Sequence, residues 1–239
     1  MENQRIAVIG AGLMGHGIAL TLARAGHHIA VTDPIPEARA ALHNRVADSL
    51  RLMAVADTGP ILARISVHET IPEAVKTSQY VFEAAPEKMA LKQAIFAEIE
   101  ANTSEVAILA SNTSVMPISE IMSGLRLKSR ALGTHWWNPP HLIPLVEVIR
   151  TADTSEPTMT AMMDLLTHAG KTPVRVEKDV PGFIGNRLQH ALWREAISLV
   201  ERGICDAASV DAVIKASFGR RLAVLGPLEN ADLVGTDLT

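Results

Sequence analysis

"RIAVIGAGLMGHGIALTLARAG", residues 5–26, is the stretch that decides how this chain folds. It opens with a β-branched apolar run, Ile6 to Ile9, that stops on Gly10. The turn GAGLMG follows, and apolar residues then recur at helical spacing through Ile18, Leu22 and Ala25 before Gly26. A second apolar run, HIAVTD, ends on Asp33. Strand, glycine turn, helix and strand form the context in which G-x-G-x-x-G carries meaning. Gly10 permits the tight turn, Gly12 lets the backbone approach a diphosphate, and Gly15 lets the helix lie close on the strand. The helix start, with Leu13 and Met14, offers unpaired N–H groups and the positive dipole end to phosphates. Asp33 at the end of the second strand can accept ribose hydroxyls and would repel a 2′-phosphate, so the pattern points to NAD rather than NADP.

Working outward, strand-like runs continue at YVFEAAP (80–86), AILASNTS (107–114), RALGTH (130–135), PLVEVI (144–149) and TPVRVE (172–177). Helical patterns at 36–57, 87–101 and 155–169 lie between several of them. The alternation predicts an α/β fold with a doubly wound, mostly parallel sheet of Rossmann type. Beyond DVPGFIGNRL the strand signals stop, and residues 184–203 and 207–217 read as helices. The expected organisation is a dinucleotide-binding domain over 1–179 and a smaller helical domain over 180–239, with the change near 178–181, where charge and Pro181–Gly182 interrupt the pattern.

Composition narrows the function classes. The 239 residues suffice for one large domain or one domain with a smaller companion. A net charge of −4, with Lys and Arg scattered, gives no electrostatic footprint for nucleic acid or an anionic membrane. No run reaches the roughly 18–20 apolar residues of a spanning helix. The early apolar stretch is broken by glycines and lacks a cationic leader, so no signal peptide is expected. The two NTS triplets, at Asn102 and Asn112, are accordingly expected to carry no glycan. The single cysteine, Cys205, cannot form an internal disulfide and suits a cytoplasmic protein. No metal site is expected.

A second stretch raises a chemical question. In GTHWWNPPHLIPLVEV (133–148) a lone acid, Glu147, sits among Leu145, Val146, Val148 and Ile149. A carboxylate in an apolar strand is expensive unless paired, and His135 stands in the strand before it. A histidine with a carboxylate on one ring nitrogen is a serviceable base for taking a hydroxyl proton while hydride leaves the same carbon. The carboxylate fixes the tautomer and stabilises the imidazolium. NPPHLIP between them is a proline-stiffened connection able to set two strands side by side. On composition alone His141 is an equal candidate for the base, and an edge-strand Glu facing water is the plain alternative.

VIGAGLMGHGIA, FEAAPEKMALKQAIF, ASNTS, HWWNPPHLIPLVEVI, PGFIGNRL and GPLENADLVG, in that order, resemble the L-3-hydroxyacyl-CoA dehydrogenase family over essentially the whole chain. The resemblance extends to carnitine and sugar-acid (L-gulonate) dehydrogenases and to lens lambda-crystallins, which include a catalytically silent role. It implies an NAD-binding domain, a helical domain carrying much of a homodimer contact, and oxidation of a 3-hydroxyacyl-CoA, the chemistry of fatty acid β-oxidation. It implies His135 as base, Glu147 as its partner, and Ser114 and Asn186 as polar groups on the substrate. It places Asn112, Glu87 and Lys92 among the cofactor contacts, with Gly10, Gly12, Leu13, Met14, Gly15 and Asp33. A solvated helix face is the plain reading of Glu87 and Lys92. Three departures stand out. Trp136 and Trp137 replace two phenylalanines of many members. The 37–64 segment carries Arg39, Arg45, Arg51 and Arg64 but no lysine, where acyl-CoA members have a lysine-rich hairpin. The sequence also stops at VGTDLT, which leads one to expect an incomplete helical domain and a weaker dimer.

Overall fold

The structure is a computed structural model that describes residues 3–235. Residues 236–239, on which the expectation of an incomplete helical domain bears, lie outside that range. The chain divides into two compact units, Met1–Ile184 and Gly185–Thr239.

The first unit is built on one eight-stranded sheet. Its strands are β1 (Arg5–Ile9), β2 (His28–Thr32), β3 (Ile65–His68), β4 (Tyr80–Glu83), β5 (Ile108–Ser111), β6 (Ala131–Trp136), β7 (Leu145–Ile149) and β8 (Thr172–Val176). They lie in the order β3-β2-β1-β4-β5-β6-β7-β8. All neighbours pair in parallel except β6 and β7, which are antiparallel. The helices are α1 (Leu13–Arg24), α2 (Pro36–Leu52), α3 (Gly59–Leu62), α4 (Ile71–Val75), α5 (Met89–Asn102), α6 (Ile118–Ile121) and α7 (Glu156–His168). This is the doubly wound α/β arrangement that the alternation predicts. Two differences are local. The four-residue β3, ISVH, is too short and too polar to give a periodic signal. Helix α2 ends five residues before the expected position, because Ala54 turns into the left-handed region at φ 55°.

The sheet is covered on both faces by strict alternation along its strands. Ile6 and Val8 of β1 point to a core shared with Ile18 and Leu22 of α1, Leu42 and Val46 of α2, and Met159, Met162 and Leu165 of α7. Ala7 and Ile9 point the other way, to Ile95, Phe96 and Ile99 of α5 and Ile118 and Ile121 of α6. Fully burying one such Leu or Ile stabilises the fold by roughly 1.5–3 kcal/mol. Caps set the helix starts: Ser155 accepts from the Thr158 N–H ahead of α7, and Gly170 at φ 75° follows its end.

Strand order reverses between β1 and β4, so their carboxyl ends open the crevice in which such sheets hold ligands. Gly10 stands there at φ 113°, and a Cβ on it would lie 2.7 Å from the Ala84 carbonyl oxygen. A Cβ on Gly15 would lie 1.8 Å from the Gly10 carbonyl oxygen, so only glycine lets α1 approach β1 this closely.

The second unit is helical: α8 (Gly185–Glu201), α9 (Ala207–Ala216), capped by Asp206 on the Ser209 N–H, and α10 (Pro227–Val234). Helix α8 has no buried residue, and Leu188, Leu192, Trp193 and Ile197 stand exposed on it. No helix among the described residues is long and apolar enough to cross a membrane.

Candidate active site

The glycine turn and the end of β2 form one bonded unit. Asp33 accepts the Ala11 N–H through Oδ2 at 2.8 Å and the Ile35 N–H through Oδ1 at 2.9 Å. Two arginines of α2 close the same loops: Arg39 donates to the Asp33 carbonyl at 2.7 Å and Arg45 to the Ala11 carbonyl at 3.3 Å. Gly12 precedes α1 with no side-chain cap on the first N–H groups, and a Cβ there would meet nothing within 4 Å. Free N–H groups, open space above Gly12 and a half-buried carboxylate at the end of β2 together fit a dinucleotide whose ribose carries no 2′-phosphate.

On the other side of the crevice β6 and β7 pair in a register that sets His135 opposite Glu147. Nδ1 of His135 and Oε2 of Glu147 are 2.7 Å apart, and the two residues are 4% and 1% exposed. The other oxygen, Oε1, accepts the Ile184 N–H at 2.8 Å, so the carboxylate is held from both sides. Bonding at Nδ1 leaves Nε2 as the ring nitrogen that Glu147 does not engage. The two tryptophans split between faces. Trp137 lies against the imidazole, with ring centroids 5.3 Å apart, whereas Trp136 is buried edge-on to Phe82 on the opposite side of the strand. Phe183 completes the wall 5.6 Å from His135 and adopts φ 48°, a strained conformation for a bulky residue.

A third cluster joins the ends of β4 and β5. Lys92 of α5 has no exposed surface. Its ammonium donates to Glu83 Oε1 at 2.7 Å and to the Ala85 carbonyl at 3.0 Å, and lies 3.5 Å from Glu87. The solvated-face reading of Lys92 is therefore wrong, since helical spacing cannot tell an outward lysine from one folded back over a buried acid. Glu83 also accepts from Ser111 Oγ at 2.6 Å and from the Ala85 N–H at 2.7 Å. Glu87, still partly exposed, accepts the Ser114 N–H at 2.6 Å and the Thr113 hydroxyl at 2.9 Å. Asn112 accepts the Trp136 N–H at 3.0 Å and so ties β5 to the residue after His135.

Of the residues singled out in the sequence, the structure thus joins His135 to Glu147, Glu87 to Ser114 and Lys92, and Asp33 to the glycine turn. Asn186 belongs to the second unit, in the first turn of α8. Glu83 escaped the sequence reading, although it carries the same signal as Glu147, a lone acid in an apolar strand. His141 stands apart from the pair, 5.8 Å by ring centroid from His16 of α1.

A doubly wound dinucleotide fold beside a buried imidazole–carboxylate pair points to a class, the NAD-dependent oxidoreductases. Within it, residues 5–180 match the model of the 3-hydroxyacyl-CoA dehydrogenase NAD binding domain, and residues 182–239 match that of the 3-hydroxyacyl-CoA dehydrogenase C-terminal domain. The chain belongs to the 3-hydroxyacyl-CoA dehydrogenase family. It is 38% identical to a probable 3-hydroxybutyryl-CoA dehydrogenase of Bacillus subtilis, over 99% of this chain and 83% of that one. It is 37% identical to an L-carnitine dehydrogenase of Streptomyces griseus, over 98% of this chain and 70% of that one. Among solved structures it is similar to 5-formyl-3-hydroxy-2-methylpyridine 4-carboxylic acid 5-dehydrogenase, an NAD-dependent dismutase. The TM-score is 0.90 at 35% identity, covering 100% of this chain and 78% of that one.

Proposed function

We propose that the chain oxidises the C3 hydroxyl of an L-3-hydroxyacyl-CoA, with His135 as the base. The observation that carries this reading is the buried 2.7 Å contact between His135 Nδ1 and Glu147 Oε2. Nε2 takes the hydroxyl proton, and Glu147 stabilises the imidazolium that results. Bound NAD supplies the hydride acceptor. Ser114 donates a hydrogen bond to the substrate oxygen and is placed by Glu87 through its N–H. Asn186 offers a second polar contact to the substrate, and Asn112 serves the nicotinamide side. Lys92 acts through Glu87 and does not itself touch the cofactor, consistent with its complete burial. Trp137 and Phe183 exclude water beside the imidazole, which strengthens each of these interactions.

One observation favours a second reading, a free 3-hydroxy acid such as carnitine. The arginines of α2 are engaged within the chain: Arg39 and Arg45 on backbone carbonyls and Arg51 on Asp48 at 2.8 Å. That leaves α2 poorly equipped for the phosphate of CoA. Assaying 3-hydroxybutyryl-CoA, L-carnitine and 3-hydroxybutyrate with NAD by nicotinamide absorbance separates the two. The thioester should exceed the free acid in kcat/KM by about two orders of magnitude, through binding remote from the reacting carbon. Comparable values, or higher ones for carnitine, select the second reading.

We further propose a cytoplasmic homodimer in which a second copy covers the exposed Leu188, Leu192, Trp193 and Ile197 of α8. Sedimentation should give a dimer that Leu192→Asp with Ile197→Asp converts to monomer; an unchanged sedimentation coefficient places the interface elsewhere.

A further inference from the structure

Lys171 is a buried cation that the proposed chemistry does not use. It follows Gly170 at the end of α7, is 9% exposed, and has its N–H bonded to the Leu166 carbonyl at 3.0 Å. Its partners are carbonyls rather than carboxylates. The ammonium donates to the Pro140 carbonyl and, at 2.8 Å, to the Ile143 carbonyl. It also sits over the Trp136 ring, 5.2 Å from the centroid. Next to it, the Thr172 N–H donates to the Pro144 carbonyl at 2.9 Å. Apart from the Leu166 carbonyl, which takes the main-chain N–H, these partners lie on the segment 137–144 that joins β6 to β7, or on the residue after His135.

We propose that Lys171 is a positioning residue that clamps the loop between His135 and Glu147 and thereby holds the two strands in the register that pairs them. The proposal rests on the reading of His135 and Glu147 as the reacting pair. The loop also meets its surroundings through the rings of Trp137 on His135 and His141 on His16. Within itself it is closed by the Leu142 and Ile143 N–H groups, both on the Pro139 carbonyl at 3.0 Å. On its outer side Pro140 packs on α1 so closely that a Cβ on Gly17 would lie 2.5 Å from its Cγ. The clamp is thus made by two N–H donors and one aromatic face, all behind the strand rather than at the substrate. Arg24 of α1 and His141 of the loop are the charged or titratable groups that act on it. A base displaced by a fraction of an ångström loses much of its effect, so loosening this loop should lower turnover more than binding.

The test is Lys171→Met, which keeps the length and apolar body and removes the donors. With NAD and whichever of L-carnitine or 3-hydroxybutyryl-CoA turns over, kcat should fall about ten- to a hundredfold. The dissociation constant for NADH should change by less than about twofold. The low-field proton resonance of His135 Nδ1, which needs no substrate, should broaden or move upfield. Lys171→Gln, whose single short amide reaches at most one carbonyl, should fall between wild type and Lys171→Met, and it serves if the methionine variant does not fold. A folded variant with wild-type kcat and an unshifted resonance overturns the clamp. Both variants unfolding would assign Lys171 to stability alone and overturn it as well. His135→Ala is measured alongside: if it retains turnover, the reading of the reacting pair has failed and not merely the clamp.

Discussion

His135 and Glu147 occupy directly opposite positions across the only antiparallel ladder of the sheet, and the carboxylate meets the imidazole at 2.7 Å. Directly opposed side chains share one face of a sheet and stay there as long as the register holds. The contact is therefore written into backbone pairing as well as side-chain chemistry.

His135→Ala should lower kcat by about three orders of magnitude, the middle of the range for removing a general base. NADH affinity should be nearly unchanged, because in the proposed mechanism the residue serves the hydroxyl and not the dinucleotide. Glu147→Gln should cost less, about two orders, since the base remains but is held in the wrong tautomer part of the time. Steady-state kinetics with parallel NADH titrations check both; near-normal kcat in His135→Ala removes the mechanism.

NADH should bind at least about tenfold more tightly than NADPH, because a 2′-phosphate would meet the Asp33 carboxylate at close range. Asp33→Asn should narrow that ratio. It should also destabilise the chain by about 1–3 kcal/mol, because the carboxylate accepts two backbone N–H bonds that tie the glycine turn to the end of β2. Fluorescence titration and urea unfolding read the two effects separately. Equal affinities in wild type would sink the assignment of Asp33.

Lys92→Met should be strongly destabilising, by about 3–5 kcal/mol, because it strands the buried Glu83 carboxylate. The double variant with Glu83→Leu should recover part of that loss, whereas additive losses would show that the two residues are not energetically coupled.

Stability should rise with pH on the alkaline side. Burial, followed by the charge of Arg24, brings the Lys171 pKa down to about 8 from the 10.5 of a free lysine. Between those values the unfolded chain holds a proton that the folded chain has released, so raising pH favours the folded state. The gain should reach about 2 kcal/mol between pH 8 and 10 and vanish in Lys171→Met. Urea midpoints across that range measure it, and equal slopes in both proteins would refute it.

The parts of the molecule that were legible in the sequence are those whose pattern is also their function. The glycine turn needs glycines at Gly10 and Gly15 because of two carbonyl contacts, and those contacts are why the fingerprint has its spacing. Glu147 was conspicuous because ionised groups do not enter apolar strands unaccompanied. Glu83 met the same criterion, but it sits near the end of its strand beside a helix already accounted for, and its partner Lys92 lies on a helix whose spacing reads as solvent-facing. Lys171 gave no signal, since a lysine after a helix-ending glycine looks like a surface residue. What made it a buried one is the return of a distant loop over it, and no local pattern encodes that.

The reversed strand also bears on chain entropy. Parallel neighbours must be joined by a crossover of a dozen residues or more, whereas the connection between β6 and β7 is only residues 137–144, eight in all. Loop-closure cost grows with the logarithm of loop length, and the proline-rich segment is stiff before it closes. Bringing this acid and this imidazole together therefore costs the unfolded chain roughly 0.5–0.8 kcal/mol less than joining Asp33 to Ala11 or Glu83 to Ser111, which are 22 and 28 positions apart. Of these three contacts, the one between the acid and the imidazole closes the shortest loop.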